Sequence, residues 1–171
     1  LTGRINDGAR VLPASAAGEL ENYLAAVEKS TGIQIALLTI PSLEGEVIES
    51  YSLKVAEKWG LGGAEADNGA LLLVAMEEKK IRIEVGYGLE GVLTDAMSGF
   101  IIRETIVPEF KNGNFQGGIA AGLRAIGGVV TGDAPISEEA IVESGSEGGE
   151  RGIPFVFIII FLLIFVFGRM G

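Results

Sequence analysis

"ALLLVAMEEKKIRIEVG", Ala70 to Gly86, decides the fold. Its first seven residues, Ala70 to Met76, are apolar at every position. A strand of that kind must be covered on both faces, as a central strand between helical layers is. The polar "EEKK" then turns the chain into "IRIEVG", Ile81 to Gly86, where apolar and charged residues alternate. The two runs predict a β-hairpin, one arm central and the other nearer an edge.

The flanking sequence supplies the covering helices. Ser15 can cap a helix that runs to about Ser30, with Leu20, Leu24 and Val27 on one face and Gly32 as its stop. "IQIALLTI", Ile33 to Ile40, is a strand, and "NDGARVLP", Asn6 to Pro13, is a turn with a short strand. After Gly45, Ile48, Tyr51, Val55 and Trp59 form the stripe of a second helix, closed by "GLGG". Thr94 caps a third helix through Met97, Ile101 and Ile102 that stops near Pro108, and a Gly-rich helix runs from about Phe115 to Val130. The pattern predicts an α/β fold over residues 1–131, an α/β/α sandwich with a small mixed central sheet and helices on both faces.

Composition narrows the chemistry. The 171 residues carry 13 Lys plus Arg against 23 Asp plus Glu, a net charge of −10. Nucleic acid is excluded as an expected partner, because its phosphates would be repelled. With no Cys and no His, a Ser-His-Asp triad, a thiol nucleophile and a common zinc site are all excluded. Catalysis, if any, would run on carboxylates, hydroxyls, Lys, Arg or a hard metal ion.

Beyond the domain, residues 132–152 are rich in Gly, Ser and Glu and read as a flexible acidic tether. Ile153 to Phe167, "IPFVFIIIFLLIFVF", has no polar side chain and lies between Arg151 and Arg169. As a helix it would span ~22 Å, short of the ~30 Å hydrocarbon core unless flanking residues contribute. Residues 153–171 are therefore expected to be a C-terminal transmembrane segment, truncated at its end. Acidic residues before the span and Arg169 after it place the domain on the extracytoplasmic side. The sequence opens on Leu1 rather than Met, consistent with signal-peptide removal or with a shortened chain.

Gly86, Gly88 and Gly91 fall in the G-x-G-x-x-G spacing of a dinucleotide loop. Such a loop belongs after an opening parallel strand, whereas here it follows the second arm of a hairpin. Glu90 within it and Asp95 after it would repel a pyrophosphate, so no dinucleotide is expected. The same residues suit a cation. Hairpin geometry brings Asp67, Asn68 and Gly69, before the central strand, to the sheet edge that Glu84, Glu90 and Asp95 reach from the other arm. Carboxylates, an amide oxygen and loop carbonyls make a hard-ion shell for Ca²⁺ or Mg²⁺. Each residue also has a structural reading. Asp67-Asn68-Gly69 is turn chemistry, Asp95 complements a helix N-terminus, and Glu84 can face solvent on an edge strand.

In their order, "INDGARVLP", "TGIQIALLTIPSLEG", "YSLKVAEKWGLGG", "DNGALLLVA", "IRIEVGYGLEGVLTD" and "IVPEFKNGNFQGGI" resemble the TPM-domain family over residues 3–131. That family comprises extracytoplasmic α/β domains commonly tethered by one transmembrane helix, and it includes the plant thylakoid-lumen protein of photosystem II repair. The resemblance implies divalent-metal binding, calcium in particular, a role in assembly or repair of a membrane protein complex, or acid phosphatase activity. Carried over by motif, the implied metal site comprises Asp67, Asn68, Glu84, Glu90 and Asp95. The resemblance also offers Arg103 to orient a carboxylate or meet an anion, and Asp7 of "NDG" as a lesser candidate. Against a phosphatase stand the absence of His and of a D-x-D motif, and the scarcity of cations near the acidic residues other than Arg82 and Arg103.

Overall fold

The computed structural model describes residues 3–133. Four strands form one sheet in the order β1-β2-β3-β4: β1 (Ile5–Asp7), β2 (Gln34–Ile40), β3 (Gly69–Ala75) and β4 (Lys80–Val85). β1, β2 and β3 are parallel, and β4 closes the sheet antiparallel to β3 with Leu72 opposite Ile83. All seven residues of β3 are buried, as its unbroken apolar run requires.

Helices α1 (Ala14–Thr31) and α2 (Ile48–Trp59) make the two crossovers between parallel strands. Side chains of β3 alternate between two cores. Leu71 and Leu73 pack with Tyr51, Val55 and Trp59 of α2. Leu72 points the other way, toward Gly122 of α5 (Phe115–Thr131). On that face α1 lies against α5, where Tyr23 Oη donates to the Arg124 carbonyl at 3.3 Å. The mixed sheet with helices on both faces is thus present in the described residues.

Two local details differ from the sequence expectation. α1 starts one residue before Ser15, with Pro13 in the cap position and no side-chain cap. Proline's fixed φ and missing N–H suit that start, and its carbonyl accepts from Ala17 N at 3.0 Å. The third helix does not stop near Pro108. α3 (Asp95–Phe100) widens into a π-helical segment, Ile101–Ile106, and resumes as α4 (Val107–Lys111) with Pro108 in its first turn. There the Val107 N–H reaches Ile102 O, five residues back. The wider turn leaves no α-type donor to be missed at Pro108.

Gly32, Gly60 and Gly132 end α1, α2 and α5 in left-handed conformation, and Thr94 Oγ1 accepts from Met97 N at the start of α3. The tether, beyond Gly132 and Asp133, and the apolar run 153–167 lie outside the described residues. Among the described residues no helix is long and apolar enough to cross a membrane.

Candidate functional site

At the N-terminal end of β3 the chain folds over itself. Gly86 N donates to Gly69 O (2.8 Å), and Gly88 N donates to Asp67 O (3.0 Å). Asp67 adopts a positive φ of 44°, a conformation that Asp tolerates better than most residues. Its Oδ2 accepts from the Tyr87 N–H at 2.9 Å. A Cβ on Gly86 would run into Asp67 O, and one on Gly88 into Ala66 O, both far inside contact distance. Nothing lies within 4 Å of a Cβ on Gly91. Two of the three glycines in the dinucleotide-like spacing are therefore required by the chain's own backbone, and the third is not.

This crossing forms the floor of a cleft of about 500 Å³ whose lining includes Glu57, Asp67, Glu84, Glu90, Leu53 and Tyr87. Neither Lys nor Arg lines it. Four carboxylates thus meet in one concavity whose lining contains no basic side chain. Glu84 is the exception in detail: Arg82 Nε and Ser52 Oγ both donate to its Oε2 at 2.6 Å. Its charge is already matched by Arg82. Glu57 and Glu90 are exposed, and their side chains form no ion pair or hydrogen bond among the described residues.

The sequence-derived candidates separate accordingly. Asp67, Glu84 and Glu90 share the cleft, and its lining does not include Asn68, Asp95 or Arg103. The Asn68 amide nitrogen donates to Gly32 O at 3.0 Å, tying the turn to the end of α1. Asp95 sits in the first turn of α3, a placement that complements the helix dipole. Arg103 lies 3.6 Å from Glu104 on the π-helical segment. Asp7 is used structurally, accepting from Val11 N (3.1 Å) and Leu12 N (2.8 Å) of its own loop and from Thr39 Oγ1 of β2.

Glu57 was not singled out from the sequence. The available signal is its spacing of four from Leu53, which puts both on one face of α2 next to the Gly60 cap.

The donors fit a hard cation in kind, since all are oxygen and carboxylates predominate. Among the described residues no three Asp or Glu side chains are arranged to hold one ion. A six- to eight-oxygen shell would be completed by backbone carbonyls and water, as is common for Ca²⁺.

The comparisons with known proteins agree with this architecture. The N-terminal domain of a P. gingivalis protein, solved in solution, is 33% identical, with a TM-score of 0.72 over 77% of this chain and 83% of that one. The BA42 protein of Bizionia argentinensis shares the fold at 22% identity and a TM-score of 0.62, covering 76% of this chain and 88% of its own. The N-terminal domain of the cg2496 protein of Corynebacterium glutamicum does so at 16% identity and 0.60, covering 80% and 85%. No curated protein matches the chain. The profile of the TPM domain matches residues 5–129, nearly the whole of the fold described above, and the chain belongs to the TPM domain family.

Proposed function

We propose that the acidic cleft binds a divalent cation, Ca²⁺ or Mg²⁺, and that the domain serves as a cation-dependent binding module for a membrane protein complex. The observation that carries this reading is the lining itself, with four carboxylates and no Lys or Arg. Asp67 would supply a fixed ligand, because its backbone is held by Gly88 N and one of its oxygens by Tyr87 N. Glu90 and Glu57 would supply the free carboxylates. Glu84, ion-paired with Arg82, would add neither net charge nor a free oxygen pair while that pairing holds.

The partner would meet exposed apolar side chains beside the ion. Tyr87 is 81% exposed and Leu53 is 49% exposed, and both line the cleft. An exposed tyrosine beside a concave acidic surface is a favourable anchor for a protein partner. In this reading residues 153–171 anchor the protein in a membrane, residues 132–152 tether the domain, and the domain stands on the extracytoplasmic side, where it acts in assembly or repair of that complex. Acid phosphatase activity fits the cleft less well. A phosphate monoester would find no basic side chain in the lining, and binding would depend on the metal alone.

Calorimetric titration of the full chain tests the cation reading. Ca²⁺ is expected to bind saturably, and Asp67→Asn with Glu90→Gln is expected to weaken it at least tenfold. Equal affinity in the double variant would place the ion elsewhere.

A further inference from the structure

At the opposite end of β3, beyond Ala75, lies a second concavity of about 460 Å³ between the β3–β4 turn, α4 and the start of α5. Its walls include Ile81, Val107, Phe110 and Phe115. The two phenyl rings meet edge to face, with centroids 5.1 Å apart. Gly118 makes room for Phe110, since a Cβ there would lie 2.6 Å from the ring. The aromatic wall is therefore packed in place, and all four residues remain half-buried rather than covered.

Lys79, Lys80 and Lys111 also line this concavity, and all three are exposed. None forms an ion pair or side-chain hydrogen bond among the described residues. Three carboxylates flank them in sequence, outside the lining: Glu77 is exposed, Glu78 accepts from Ser42 Oγ and Leu43 N and also feels the charge of Lys80, and Glu109 accepts from Asn114 Nδ2. In a chain with 13 basic residues and a net charge of −10, an apolar hollow whose lining holds three lysines and no Asp or Glu is the opposite in lining charge of the acidic cleft. A volume within the range of small-ligand pockets and a mostly apolar wall favour a small amphiphile over a folded partner.

We propose that this hollow binds a single-chain alkyl carboxylate, with its tail against Phe110 and Phe115 and its carboxylate among Lys79, Lys80 and Lys111. The long lysine stems extend the apolar wall, while their ammonium groups remain in water to meet the head group. This site is independent of the acidic cleft and does not require a metal.

The test is calorimetric titration of the full chain in detergent-free buffer with hexanoate, octanoate and decanoate below their micellar concentrations. Decanol and decyltrimethylammonium serve as uncharged and cationic controls. Saturable binding at one site is expected, tightening by up to about fourfold per added methylene. Lys80→Glu with Lys111→Glu is expected to weaken decanoate at least tenfold and to leave decanol within twofold. Both positions are exposed, so the fold should survive, and an unchanged far-UV circular dichroism spectrum checks that. No saturable binding of decanoate overturns the proposal, as does equal affinity for the cationic amphiphile. Binding confined to anionic vesicles, with none to monomeric decanoate, also overturns it and makes the face a membrane-docking surface.

Discussion

Gly86 and Gly88 are glycine for a reason that lies twenty residues away. The backbone of Ala66 and Asp67 occupies the space a Cβ would need, and the same crossing fixes Asp67 in its positive-φ conformation. Gly86→Ala or Gly88→Ala is expected to cost about 2 kcal/mol or more, because the clash is with backbone and not with a side chain that can swing away. Gly91→Ala should stay within about 0.5 kcal/mol of the parent. Urea denaturation midpoints of the three variants check this, and equal losses at all three positions would contradict it.

Glu78 offers a second residue-scale test. The Ser42 hydroxyl, helped by the Leu43 N–H and the charge of Lys80, stabilises its carboxylate and holds its pKa below the usual glutamate value. A depressed carboxyl pKa contributes stability above the unfolded-state value, and that contribution is lost as pH falls through the folded value. Glu78→Gln should therefore be less stable than the parent near neutrality, and the gap should narrow as pH falls through the depressed folded-state pKa of Glu78. A gap that is constant with pH would show that the charge is not what matters at this position.

Among the elements, legibility followed the strength of the local pattern. β3 could be read because burial on both faces leaves no polar residue in the strand, and the β3–β4 hairpin because four polar residues separate it from an alternating run. The start of α1 misled, since Ser15 is a good cap by type while Pro13, two residues earlier, already sets the backbone. Ser15→Ala is expected to change stability by less than about 0.5 kcal/mol. Thr94→Ala should cost about 1 kcal/mol, because Thr94 Oγ1 does accept a helix N–H. Thermal unfolding of the pair distinguishes them, and a larger effect at Ser15 would reverse the assignment. The π-helical segment was not legible at all. Pro108 signals a break in α-type pairing, but whether the chain ends the helix there or widens it depends on packing against α5, where Gly122 admits Ile106 at close range.

At the scale of the molecule, the sheet separates two chemistries. Carboxylates line the cleft where β3 begins, and lysines line the hollow where it ends. Hairpin geometry predicted that Asp67, Asn68, Glu84, Glu90 and Asp95 would gather at one sheet edge; Asp67, Glu84 and Glu90 share a cleft whose lining does not include Asn68 or Asp95. The engagement of Glu84 by Ser52 was beyond reach of the sequence, because Ser52 comes from α2 on the covering layer, 32 positions away. Glu57 was missed for the same reason. A carboxylate near a helix end looks like ordinary solvated surface until the strand ends packed beneath it are known.

The central claim, a cation held over Asp67 in this cleft, is tested most directly by amide chemical-shift mapping of the full chain on addition of Ca²⁺. The largest saturable shifts are predicted at Tyr87, whose N–H is bound by Asp67 Oδ2, and at neighbouring Gly88 and Glu90, all absent in Asp67→Asn. Shifts confined to the residues around Asp7, Asp95 or Glu104, or no saturable shifts at millimolar Ca²⁺, would contradict the account.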